Sequence, residues 1–103
     1  MSTTPPVFPE SEPRVRARGL LAWVLGDQSS DVEERLAAGD ALAALLDPVP
    51  ADMMPVPAPE TPGSLADARN LLEDAARVET TPRGIVAVSL ALHHLRRAVP
   101  PSP

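Results

Sequence analysis

Apolar residues recur at helical spacing in four separate stretches of the chain. The first covers about residues 13–25, and the second ends by residue 47. The third covers about residues 65–78 and the fourth about 82–98. Residues that repeat every three or four positions share one face of a helix. The pattern therefore predicts an all-α protein with four helices in two pairs.

The 14 prolines lie before, between or after these stretches, or in a first helical turn. Proline lacks a backbone N–H and clashes with the preceding turn, so helix interiors exclude it and first turns accept it. Residues 1–12 are interpreted as a disordered Pro-rich arm, 48–63 as a Pro-rich linker and 100–103 as a tail. Helical hairpins at 13–47 and 64–99 complete one domain. We expect a small four-helix bundle, or two hairpins that complete a bundle across a dimer.

Three short sequences carry the signal for a helix start. Ser30 and Glu33 have the spacing of a capping box, and so do Ser64 and Asp67. Thr81 precedes a proline and is expected to cap the fourth helix.

The second stretch has apolar residues in a regular 4-3-4-3 spacing, which predicts the packing face of that helix. They are Val32, Leu36, Gly39, Ala43 and Leu46, with Leu42 and Leu45 beside them. Gly39 costs about 1 kcal/mol relative to Ala inside a helix, which indicates that another helix crosses close to it.

The fourth stretch carries no charge between Arg83 and Arg96. A helix that is apolar on nearly every side is usually buried, so we expect a central helix or the seam of a dimer. Trp23 is expected either to pack in the core or to join this set, because Trp is enriched at interface hot spots. The predicted partner-interface residues are Trp23, Ile85, Val88, Leu92 and Leu95.

Charge is distributed unevenly along a chain with a formal net charge of −5. Residues 27–79 are strongly acidic, whereas both flanking segments are basic. If the first and fourth helices are neighbours, five arginines form a basic patch suited to phosphate. They are Arg14, Arg16, Arg18, Arg96 and Arg97. The acidic composition disfavours nucleic acid as a partner.

No arrangement of residues predicts a catalytic, cofactor or metal site. The chain has no cysteine, which excludes thiolate chemistry and disulfides. His93 and His94 are adjacent, so their side chains diverge by about 100° on a helix. We therefore expect no cofactor, no bound metal and no enzymatic activity.

No stretch reaches the roughly 20 apolar residues that a bilayer requires, so we expect no membrane association. The apolar run after Arg18 is too short for a typical signal peptide, and a cytoplasmic location is expected. All nine basic residues are arginine, which indicates a GC-rich genome.

The sequence predicts a non-enzymatic protein–protein interaction or self-association module, such as an adaptor or regulatory subunit. Docking is expected through the apolar fourth helix and the flank of the first, since few residues are available to cover them. Its partner would be another protein or a second copy in a homodimer. The alternative is a small nucleic-acid-associated regulator that uses the arginine patch.

Overall fold

The protein is a small bundle of four α-helices. The structure, a computed structural model, describes residues 7–8, 10–29, 31–47 and 49–98. The helices are α1 (Glu12–Gly26), α2 (Val32–Leu46), α3 (Leu65–Val78) and α4 (Pro82–Ala98). The predicted all-α four-helix bundle is confirmed.

Two of the three predicted helix starts are present in the structure. The Ser64 hydroxyl accepts a hydrogen bond from the Asp67 N–H at 3.3 Å, and the Ser64 N–H donates to the Asp67 carboxylate at 3.0 Å. The Thr81 hydroxyl accepts from the N–H three residues later at 3.1 Å. The predicted Ser30 cap lies outside the described residues. The residue before α2 is Asp31, whose side chain makes no capping hydrogen bond.

Neighbouring helices of the bundle run antiparallel. Arg14 at the start of α1 contacts Leu45 at the end of α2 and Glu79 just after α3. Both α1 and α4 pack against α2 and α3, so α1 and α4 occupy opposite corners. Because Pro82 lines a cleft with Arg14, α4 starts at the same end of the bundle as α1. We call this the Arg14 end.

The core contains leucine, valine and many alanines from all four helices. On α2 the buried residues are Ala37, Ala38, Ala41, Ala44 and Leu45. Small side chains let helix backbones approach closely, and the core of the described residues contains no fully buried aromatic ring. Trp23 is half-buried and packs against the edge of this core.

The predicted packing face of α2 is wrong for its 4-3-4-3 line of residues, which lies towards solvent, whereas Leu45 beside it is buried and Leu42 packs against the core. Val32 is 64% exposed and Leu36 is 63% exposed, while the opposite, alanine-rich face packs inward. A Cβ on Gly39 would lie 3.5 Å from Leu25 Cδ1, an ordinary contact, so no helix crosses close to this glycine. The outward set is named the outer α2 stripe: Val32, Leu36, Gly39, Ala43 and Leu46.

The Pro-rich linker crosses α1. The Thr61 N–H donates to the Gly19 carbonyl at 3.4 Å, and the Arg18 guanidinium donates to the Val56 carbonyl. A Cβ on Gly19 would overlap the carbonyl oxygen of Pro59. Gly19 is therefore required for the close approach of the linker to α1.

The structure describes only part of the segment at residues 1–12, which the sequence analysis interprets as a disordered arm, and this part contacts the linker and α1. Strand β1 (Val7–Phe8) pairs in parallel with strand β2 (Met54–Pro55) of the linker. The Glu10 side chain is fully buried against α1, and α1 itself begins at Glu12. Residues 1–6, Pro9 and the predicted tail at 100–103 lie outside the described residues.

Candidate functional site

A buried ionic cluster holds the Arg14 end of the bundle together. Arg14 is only 1% exposed, and its guanidinium donates to the Leu45 carbonyl at 2.8 Å. It also donates to Glu79 at 3.3 Å, and its Nε lies 3.2 Å from a Glu10 carboxylate oxygen. The last carbonyls of a helix lack partners within the helix, so a cation is favourable there.

Arg18 extends the same cluster towards the linker. Its Nε and one terminal nitrogen donate to both oxygens of Glu10, at 2.9 and 2.7 Å. This two-point geometry is the strong form of an arginine–carboxylate pair. The spacing of Glu10 and Arg14, four residues apart, was the available sequence signal for this cluster.

The predicted basic patch does not form. Arg14 and Arg18 are buried and paired with carboxylates, whereas Arg16 is exposed. Arg96 and Arg97 are exposed near the end of α4. An α-helix rises by about 1.5 Å per residue, so these two arginines lie roughly 20 Å along the bundle from the Arg14 end. The prediction fails because α1 and α4 lie at opposite corners and run in the same direction.

Most of the predicted interface residues on α4 are in the core. Val88, Leu92 and Leu95 are buried between α4 and the rest of the bundle, so they cannot form a docking surface of the folded chain. Ile85 is 46% exposed and remains available. Trp23 is half-buried and belongs mainly to the packing of the bundle.

The exposed apolar side chains of α4 come instead from its other face. Val86 is 65% exposed and Leu90 is 46% exposed. Both line a cleft of about 410 Å³ between α4 and the end of α2, where Ala44 and Asp47 form the opposite wall. The set Ile85, Val86 and Leu90 is named the outer α4 surface. Because the fourth helix is apolar on nearly every side, its sequence does not show which face is covered.

The outer α2 stripe borders further clefts. Leu36 lines one of about 280 Å³ between α2 and the end of α4, with Asp40, His94 and Arg97. Leu36 also lines a second cleft with Val32 and with Leu25 of α1. The apolar residues of α2 and α4 are thus exposed on adjacent helices, with carboxylates and arginines between and around them.

The two histidines lie on α4, with ring centres 6.0 Å apart. His93 is exposed and His94 is half-buried. Within the described ranges, no three His, Asp or Glu side chains are grouped so that they could hold a metal ion. The acidic pair Glu33 and Glu34 is exposed at the start of α2.

None of the helices in the described part of the chain is long and apolar enough to cross a membrane. Comparison with known proteins gives no match: no family model fits the chain, and no curated protein or solved structure is similar to it. The functional argument therefore rests on the exposed surface of the bundle.

Proposed function

We propose that this chain is a non-enzymatic protein-interaction module, an adaptor or regulatory subunit, that docks through the outer α2 stripe and the outer α4 surface. One observation supports the proposal above all others. Large apolar side chains on two adjacent helices face solvent, although the inner face of α2 beneath them consists mainly of alanine.

Single exposed apolar residues are normal on a folded protein, whereas contiguous groups mark interaction sites. Here Val32 and Leu36 on α2 are as exposed as Val86 on α4. A chain that buried its larger residues and exposed its alanines would gain more from the hydrophobic effect. This hydrophobic free energy is recovered if a partner covers the exposed side chains.

The charges around the two apolar surfaces suit a protein interface. Glu33, Asp40 and Asp47 follow one side of the outer α2 stripe, and Arg83 and Arg97 lie across the clefts on α4. An apolar centre with a charged rim is the usual anatomy of an interface between proteins. The rim selects orientation, and the apolar centre supplies most of the affinity.

The proposal places the module in the cytoplasm, because small secreted domains with so little core usually contain disulfides. It assigns no catalytic residue, since the Arg14 guanidinium is buried and contacts Glu10, Glu79 and the Leu45 carbonyl. The nucleic-acid alternative is not carried forward, because the arginines that suggested it are separated.

The test is affinity capture from the host organism with tagged wild-type protein and two variants. Leu36→Glu alters the outer α2 stripe, and Val86→Glu with Leu90→Glu alters the outer α4 surface. We expect a stoichiometric protein partner that survives high salt with wild type and is lost with at least one variant. Apolar docking responds weakly to salt, whereas phosphate binding weakens steeply.

Val78→Glu is the matched control, because Val78 is a similarly exposed apolar residue on α3. Each variant is first checked for helical content and cooperative unfolding. The proposal fails if every protein retained by wild type is retained equally by all the variants. It also fails if the retained material is nucleic acid released by salt.

A further inference from the structure

We infer that the outer α2 stripe is covered by α2 of a second copy of this chain, in a parallel two-fold dimer. The inference rests on the proposed function for its premise that this stripe is a docking surface. It adds the identity of the occupant and the orientation in which it binds.

The spacing of the stripe is that of a two-stranded coiled coil. Helices that supercoil around each other carry apolar residues in alternating steps of three and four, at the heptad positions a and d. In α2, the d positions are Val32, Gly39 and Leu46, and the a positions are Leu36 and Ala43. The helix runs over Val32–Leu46, so the seam covers two heptads, with Gly39 half-buried and the other four seam residues exposed.

The centre of the stripe is suited to close approach. Gly39 and Ala43 are the smallest side chains in the seam, and larger ones lie at both ends. Among the described residues, only Cδ1 of Leu25 lies within 4 Å of a Cβ placed on Gly39. A glycine that weakens α2 without serving contacts inside the chain is explained if a second helix packs against it.

The charges beside the stripe differ on its two sides. The e positions, which follow each d residue, are Glu33, Asp40 and Asp47. The g positions, which precede each a residue, are Arg35 and Leu42. One side is therefore entirely acidic, and the other carries a cation and an apolar residue.

This asymmetry selects the orientation of the second copy. In a parallel coiled coil, each g residue faces the e residue five positions later in the partner helix. Arg35 then faces Asp40 of the second copy, and two-fold symmetry forms this pair twice. In an antiparallel pair the acidic sides face each other, so that Asp40 meets Asp40 of the second copy and the charges repel.

Neither Arg35 nor Asp40 forms an ion pair with another residue that the structure describes. Within the described part of the chain, the Asp40 side chain makes no hydrogen bond or ion pair. The only bond of the Arg35 guanidinium there is a long one of 3.4 Å from Nε to the Leu25 carbonyl. Its terminal nitrogens remain available to the second copy.

The first experiment measures molar mass by light scattering and sedimentation for the untagged full chain between about 1 µM and 1 mM. We expect a concentration-dependent dimer for wild type and for the Val78→Glu control, and a monomer for Leu36→Glu. A wild type that is monomeric throughout overturns the inference. So does a dimer that Leu36→Glu leaves intact.

A charge exchange tests the proposed pair. Arg35→Glu places a carboxylate opposite Asp40 of the second copy, and we expect at least a roughly tenfold weaker dimer. Asp40→Arg alone should weaken it similarly, because it sets two arginines opposite each other. The double variant Arg35→Glu with Asp40→Arg should recover most of the affinity. Additive losses in the double variant contradict the pairing.

A cysteine introduced by substitution tests orientation, since the chain has none of its own. Leu46→Cys should form a disulfide between two copies in a parallel dimer, because the same seam position meets itself. In an antiparallel dimer centred on Gly39, the two positions lie roughly 21 Å apart at 1.5 Å per residue, beyond disulfide reach. Cross-linking that requires Val32→Cys in addition overturns the parallel arrangement.

These outcomes separate the inference from the proposed function. If the chain is monomeric but a different protein is lost on Leu36→Glu, the inference fails and the interaction function stands. If the chain is monomeric and no captured protein responds to any variant, both fail.

Discussion

Arg14 lies near the start of α1, and its guanidinium contacts groups that belong to three other parts of the chain. Glu10 precedes α1, the Leu45 carbonyl lies in the last turn of α2, and Glu79 follows α3. Burial removes water as a competitor, so losing one member leaves the others with uncompensated charge. A surface pair such as Arg77 with Asp74 has no such role, because both side chains are exposed.

We expect Arg14→Ala to destabilise the fold by about 3–5 kcal/mol, the usual cost of removing one partner from a buried ion pair. A core of this size rarely supplies more than about 3–5 kcal/mol in total, so the variant should be largely unfolded at room temperature. Circular dichroism during urea denaturation measures this. Arg77→Ala is the control and should change stability by less than about 1 kcal/mol. Equal effects of the two substitutions would show that the buried Arg14 cluster stabilises the fold no more than an exposed ion pair does.

At the scale of elements, α2 has two apolar faces, and only one enters the core. The inner face consists mainly of alanine, and the outer α2 stripe carries larger residues such as Val32 and Leu36. Small alanine side chains suit the packing of α2 against both α1 and α4. The linker is a second case of close approach, since it passes over Gly19 on α1.

Two glycine substitutions should therefore have opposite effects on the free energy of unfolding. Gly39→Ala should stabilise the monomer by up to about 1 kcal/mol through helix propensity, because the added Cβ meets only Leu25. Gly19→Ala should destabilise by about 1–3 kcal/mol, because its Cβ displaces the backbone at Pro59.

Both glycine variants are measured by urea denaturation in a Leu36→Glu background, so that self-association does not enter. A loss of stability with Gly39→Ala would mean that α2 packs more closely against its own chain than the structure shows. Tolerance of Gly19→Ala would mean that the linker does not cross α1 at this point.

At the scale of the whole molecule, one end of the bundle is held by charge and the sides by small apolar contacts. The segment before α1 and the linker are tied to the bundle through Arg18, Glu10 and the β1–β2 pair. The chain thus uses parts outside its helices to complete a fold with a limited core. Even so, apolar residues of α2 and α4 remain in solvent, and covering them should add stability.

We expect the stability of the wild-type protein to depend on its own concentration. A dimer that forms only from folded chains stabilises them by about 1.4 kcal/mol per mole of dimer for each tenfold rise in concentration. The thermal midpoint measured by calorimetry should rise accordingly for wild type. It should stay constant for Leu36→Glu. A concentration-independent midpoint for wild type would remove the energetic basis of self-association.

The sequence by itself determined the helices and their limits. Proline positions and the spacing of apolar residues placed all four, and the Ser64–Asp67 capping box was predicted and observed. These features are local: a proline or a cap acts within one turn, whatever the rest of the chain does. The scarcity of aromatic residues, with one Trp and one Phe, and the acidic middle of the chain were equally visible.

Only the tertiary structure decided which apolar face of α2 turns inward and what the arginines do. A helix with apolar residues on two faces has no unique inside until its neighbours are placed, and the alanine face fits them better. Arg14 is buried because Glu79, which is 65 residues away in sequence, meets it at the same end of the bundle. Such pairings depend on how four helices are arranged, and helical periodicity carries no information about that arrangement.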